Sequence, residues 1–181
     1  MPDLVKIARA TREILEAIGA DLEDENLIDT PGRVARFWEE FIKYDCGNVD
    51  AHFESVQVDQ LVVVKGIEFY SLCSHHLLPF IGKASVGYLT GTRVIGLSKI
   101  PRIVQKHAHK LQLQERMAND IARELEILLG DSSGVAVVLE AEHLCMKMRG
   151  IRSSGSMITS VVTGDFREKS NLRMEFMNLI K

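Results

Sequence analysis

Apolar positions in the first third of the chain repeat at helical spacing. Leu4, Ile7, Ala8, Ile14, Leu15 and Ile18 fall on one face, and Gly19 follows as a stop. Asp24 to Asp29 is an acidic connector. Thr30-Pro31 predicts a second helix start, with Thr30 as N-cap and proline at the first helical position. Val34, Phe37, Trp38 and Phe41 supply its apolar stripe, and Asp45 to Asp50 reads as a loop. From about Val56 the pattern turns β-branched and aromatic. Val58 to Val64 and Ile67 to Leu72 read as strands. Lys83 to Leu89 and Arg93 to Leu97 flank Thr90-Gly91-Thr92, which predicts a hairpin. Ser98 then caps a short helix carrying Ile100, Ile103 and Val104. Leu113, Met117, Ile121, Leu125 and Leu128 define a longer helix ending near Gly130. Val135 to Glu140 and Met157 to Phe166 close the pattern as strands. Helices, a hairpin, two helices and further strands predict an α+β domain rather than a βαβ array. The expected division is a helical region over 1–50 and a catalytic domain over 51–181, acting as one functional unit.

Composition narrows the function classes. Lys and Arg number 22 against 25 Asp and Glu, a net charge of −3. That balance argues against a protein that coats nucleic acid or an anionic membrane, though not against a local basic pocket. No apolar run approaches the ~20 residues needed to span a bilayer. The start, Met1-Pro2-Asp3-Leu4, lacks the basic end and apolar stretch of a signal peptide, so a soluble, cytoplasmic protein is expected. The three cysteines, Cys46, Cys73 and Cys145, are an odd, low count that favours metal or catalytic use over disulfides.

The densest polar cluster is Cys73-Ser74-His75-His76. A Cys-x-x-His turn can offer two ligands to zinc, which favours thiolate and imidazole. Glu142-His143-Leu144-Cys145 follows an apolar strand, where long-range pairing could set it beside the first cluster. Two cysteines and one histidine would leave an open, catalytic position; a closed structural site would take His143 or His75 as fourth ligand. Spacing alone leaves both open. Ser98, Lys99 and Arg102 sit at a helix start, where free N–H groups favour anions. Arg149 follows the second cluster, and Arg33 and Arg36 lie in the second helix. Guanidinium groups near a metal suggest a phosphate-bearing ligand, although each one singly reads as a solvated surface residue. Gln114-Glu115 begins the longer helix. A carboxylate there could accept two hydrogen bonds from a guanine edge, or could simply be an acidic residue in a helix's first turn.

These motifs resemble the GTP cyclohydrolase I family. The stretches that carry the resemblance are Phe69 to Phe80, Gly96 to Ile100 with Arg102-Ile103-Val104, and Gln112 to Arg116. Ala141 to Met146, Met148-Arg149-Gly150, Thr30 to Ala35 and Arg173 to Phe176 complete it. It covers about residues 26 to 181. The resemblance implies a tunnelling fold: an antiparallel sheet with two helices between its middle strands, preceded by N-terminal helices. Subunits would close a barrel as a homodecamer of two stacked pentamers, with active sites at subunit junctions. The implied reaction converts GTP and water to 7,8-dihydroneopterin triphosphate and formate, a step of one-carbon and tetrahydrofolate metabolism. Carried over by motif, Cys73, His76 and Cys145 would bind Zn2+, and His75 and His143 would carry protons. Glu115, with Gln114, would hold the guanine. Lys99, Arg102 and Arg149 would grip the triphosphate, with Arg33 and Arg36 reaching in, and Ser98 would help hold ribose or phosphate. The family's usual glutamate after the first cysteine is Ser74 here, which implies altered hydrogen bonding around a zinc-ligating histidine rather than inactivation. The compact N-terminus leaves little room for a regulatory extension, and Cys46 matches no motif.

Two other readings are tied to features of the chain. A 7-deazaguanine nitrile reductase on the same kind of fold would use a cysteine nucleophile and a nicotinamide without zinc, and the Cys73, His76 and Cys145 set argues against it. A non-catalytic zinc- and GTP-binding paralogue would bind nucleotide without turnover, with Ser74 as the mark of lost function.

Overall fold

A computed structural model describes residues 1–50, 52–54 and 59–181. The chain divides into two compact units, Met1–Asp45 and Cys46–Lys181. The first holds α1 (Leu4–Ala17) and α2 (Thr30–Ile42). Asp3 caps α1 by accepting from the Lys6 N–H, and Gly19 adopts φ +77° just beyond it. The second helix starts one residue earlier than expected: Asp29 is the N-cap and Thr30 is already helical. Phe37, Trp38 and Phe41 form its aromatic ridge, with Phe37 and Phe41 stacked at 5.8 Å.

The second unit is α+β. Its strands are β1 (His52–Glu54), β2 (Leu61–Cys73), β3 (Pro79–Leu89), β4 (Arg93–Ile95), β5 (Leu111–Gln112), β6 (Val135–His143) and β7 (Met157–Val162). Its helices are α3 (Lys99–Ala108), α4 (Gln114–Leu129), α5 (Leu144–Lys147), α6 (Asp165–Glu168) and α7 (Ser170–Ile180). Five strands form one sheet in the order β5-β2-β3-β6-β7, antiparallel except where β5 joins β2.

Three expectations are corrected. The two strands read over Val58 to Val64 and Ile67 to Leu72 are one strand from Leu61 onward, while Val58 lies outside the described residues. The apparent break is a bulge between Val64 and Ile67, where Gly66 takes φ +75°. The hairpin through Thr90-Gly91-Thr92 does not form. Both edges of β3 are taken by β2 and β6, so β4 pairs with β1 instead. Thr90 is held by Gln60, exchanging backbone and hydroxyl hydrogen bonds. The last strand ends at Val162, not Phe166, because Gly164 at φ +49° turns the chain into α6. A Cβ there would stand 1.9 Å from the Ser133 carbonyl oxygen.

The core is two-sided. One face of the sheet carries α3 and α4 through Ile100, Ile103, Val104, Met117, Ile121, Leu125 and Leu129, packed on Phe69, Phe80, Val86, Val135, Val137 and Leu139. Fully burying each aliphatic side chain is worth about 1.5–3 kcal/mol. The other face, at the far end of β6, carries Phe166 and Phe176 from α6 and α7 against Leu89, Ala136 and Val138. This explains why β6 opens with an unbroken apolar run and alternates only at Glu140 and Glu142.

Candidate metal and catalytic site

The register of the sheet gathers the site at one end. β2 ends on Cys73, and a tight turn leads into β3, with the Leu77 N–H donating to the Cys73 carbonyl at 2.9 Å. Leu77 sits at φ +57°, a conformation a non-glycine residue adopts only where its surroundings impose it. β3 also pairs with β6, placing Phe80 opposite His143. The chain then turns into α5, which carries Cys145. A cysteine 72 positions away (145 − 73) thus reaches the first cluster.

One ligand atom each from Cys73, His76 and Cys145 lies within 4.8 Å of the other two. Cys73 Sγ is 3.9 Å from His76 Nδ1. A tetrahedral ion with Zn–S of about 2.3 Å and Zn–N of about 2.0–2.1 Å would set that edge at about 3.6 Å. Burial pushes the Cys145 thiol up, and the adjoining Cys73 thiol pushes it further. Two thiols crowded this way ionise together only with a cation between them, so the donor set fits a metal ion.

Polar groups frame this set. Arg149 Nη1 lies 2.9 Å from His76 Nε2, and the His75 and His76 rings meet edge to face at 6.1 Å. The His143 ring stacks on Phe80 with centroids 4.6 Å apart and planes 2° from parallel. Burial holds the His143 pKa below its ordinary value, and the nearby Glu115 carboxylate partly offsets this. β5 runs parallel to β2 at Leu72 and Cys73, which delivers the first turn of α4 to the same place. Gln114, expected beside Glu115 at the guanine edge, is turned inward instead. It is 1% exposed and both ends of its amide are engaged, one of them by His143 Nε2 at 2.8 Å. Glu115 is exposed.

Lys99 and Arg102 converge on the Asn48 carbonyl, at 2.7 and 3.5 Å. Ser98 is the N-cap of α3 but makes no side-chain cap bond. Arg33 and Arg36 belong to the N-terminal unit, where Arg33 bonds the Asn26 carbonyl and the Thr30 hydroxyl. Cys46 Sγ bonds its neighbour's carbonyl at Gly47.

Two residues of the Gln112 to Arg116 stretch were given no role from the sequence. Gln112 is fully buried. Its amide nitrogen donates to the His107 carbonyl, its amide oxygen accepts from Leu113 N–H and Arg116 Nε, and its backbone oxygen accepts from Ser74 N–H. It therefore ties the end of α3 and the start of α4 to the cysteine turn. Arg116 also donates to the Leu111 carbonyl and lies 3.5 Å from Ser74 Oγ. Their place in that stretch, four residues apart, was a sequence signal for both, but it named no partner for either.

The fold and site define an α+β protein with a Cys/His/Cys group able to hold a metal beside a half-buried histidine. The sequence profile of GTP cyclohydrolase I matches residues 7–181. A relative named GTP cyclohydrolase 1 from Sulfurihydrogenibium sp. (strain YO3AOP1) is 51% identical over 179 residues, covering 98% of this chain and 95% of its own. Relatives of the same name from Hyperthermus butylicus and Aquifex aeolicus are 48% and 46% identical, each covering 99% of this chain and 92% and 97% of their own. The chain belongs to the GTP cyclohydrolase I family. Among solved structures, an archaeosine synthase QueF-Like chain overlaps 57% of this chain and 95% of its own at 16% identity and a TM-score of 0.46, too loose to bear on function.

Proposed function

We propose that this chain is a zinc-dependent GTP cyclohydrolase I, converting GTP and water to 7,8-dihydroneopterin triphosphate and formate. The observation that carries the reading is the Cys73, His76 and Cys145 group, assembled beside His143 at the start of α4 in a chain of this family. A zinc ion on those three residues would supply a Lewis acid and a water of lowered pKa.

The other steps fall to side chains of this chain. Glu115, exposed at the first turn of α4, accepts hydrogen bonds from the guanine ring N–H and exocyclic amine. Lys99, Arg102 and Arg149 bind the triphosphate, assisted by Ser98 at the α3 start. His143 and His75 carry protons as the imidazole ring opens, formate leaves, and the opened ribose recloses as the pterin ring. A depressed His143 pKa keeps its imidazole neutral near pH 7, ready to accept a proton.

The chain acts as a homo-oligomer of tunnelling-fold subunits, a decamer of two pentamers. β5 and β7 end the five-stranded sheet, and pairing between copies would cover such edges. None of the described helices is long and apolar enough to cross a membrane, which is compatible with a cytoplasmic enzyme. The test is to incubate zinc-loaded, reduced protein with GTP and follow formate release together with pterin absorbance. Both signals are expected. GTP bound at full zinc occupancy with neither signal would overturn the reading in favour of a non-catalytic binding protein.

A further inference from the structure

Gln114 is the first residue of α4, yet its side chain points into the protein. Its Nε2 lies 3.0 Å from the Leu139 carbonyl oxygen on β6 and 3.0 Å from the Met157 carbonyl oxygen on β7. Carbonyl oxygens only accept, so the amide end facing them is the NH2 group, and its two hydrogens match two acceptors. That removes the usual ambiguity of an amide: turning it over would bring three oxygens together and strand both carbonyls. The Gln114 Oε1 is thereby fixed toward His143 Nε2, 2.8 Å away. An amide oxygen cannot donate. The hydrogen in that bond therefore belongs to His143 Nε2, and a neutral imidazole with Nε2–H has a bare lone pair at Nδ1. The Phe80 face holds the ring plane in which Nε2 meets Gln114 Oε1.

We infer that Gln114 is a positioning residue that holds His143 in its Nε2–H tautomer, with the Nδ1 lone pair bare. A carboxylate at this position would repel the Leu139 and Met157 carbonyls; the amide donates to both.

The catalytic consequence rests on the proposed role of His143 as proton carrier, whereas the tautomer does not. The two are separated by measuring them independently. Solid-state NMR of full-length protein labelled with 15N-histidine, assigned by difference against His143→Asn, reads the tautomer without turnover. Above neutral pH, His143 should show a protonated Nε2 and an unprotonated Nδ1. The opposite pattern in the wild-type protein overturns the proposal regardless of activity. Gln114→Leu keeps the bulk and removes the acceptor. It should convert the His143 signal to a mixture of tautomers and lower kcat about 10–100-fold, with KM for GTP unchanged. A Gln114→Leu protein that keeps wild-type kcat would refute the positioning role, and one that changes KM alone would place Gln114 at the substrate instead. Should that variant fail to fold, the wild-type spectrum still decides the tautomer.

Discussion

Phe80→Leu separates the structural from the catalytic work of one ring. Phe80 is 0% exposed, stacks on His143 at 4.6 Å, and meets Phe69 edge-on at 5.9 Å and 76°. Leucine is apolar and of similar size, so repacking alone should cost under about 1.5 kcal/mol. Each lost ring pair adds about 0.5–1.5 kcal/mol. The sum is about 3 kcal/mol, which for a chain of this length lowers Tm by about 6–12 °C. Function should respond separately. His143 is positioned by two restraints, the stack and the Gln114 hydrogen bond, and the substitution removes one. If about 1.4 kcal/mol of that restraint is felt in the transition state, kcat falls about tenfold. The assay pairs thermal unfolding of the zinc-loaded protein with initial rates of formate release. A fall in Tm with unchanged kcat would refute the claim that the stack orients a working histidine. An unchanged Tm would refute the packing argument itself.

Cys145→Ala should lose bound metal and turnover together, read by metal analysis beside formate release; wild-type turnover without metal would remove Cys145 from the ligand set. His143→Ala should keep its metal and lose turnover, whereas loss of the metal would mark a closed site with His143 as a ligand. Ser74→Glu sets a carboxylate beside Arg116, whose guanidinium now lies 3.5 Å from the Ser74 hydroxyl. The exposed pair should add about 0.2–1 kcal/mol at low salt, measured by urea unfolding, and the gain should fade at high ionic strength. His107 is buried between α3 and α4, with Glu124 at 2.6 Å and Lys110 at 3.2 Å, and with Asp120 at 3.8 Å. Burial and Lys110 outweigh Glu124 and Asp120 and hold its pKa below 6.5. The unfolded chain therefore binds the extra proton first, and stability falls as pH drops through 6.5 toward the folded value. The loss in Tm from about pH 7.5 to 5.5 should shrink in His107→Gln, and an unchanged slope would show that His107 does not set it.

Local physics made much of the architecture legible. The spacing of apolar residues marks α1, α3 and α4, because a helix buries one face at a fixed period. The Cys73 cluster and the Cys145 cluster were visible because thiolate and imidazole types are scarce and were concentrated. Thr90-Gly91-Thr92 misled, because turn chemistry says where a chain can reverse and not which strand then offers a free edge. The α7 helix left no readable signal, since its burial rests on a single fully buried side chain, Phe176.

The sequence by itself determined the helix periods, the strand-forming runs and the inventory of thiol, imidazole and basic side chains. Tertiary structure alone decided which of them meet. Cys73 and Cys145 converge because β3 pairs with both β2 and β6, a choice made by the whole core and not by either segment. Gln114 and Glu115 are neighbours in the chain, yet one is buried against His143 and the other faces solvent. Successive residues on a helix point about 100° apart, so their roles depend on where the sheet lies relative to α4, and that is fixed only when the long-range contacts form.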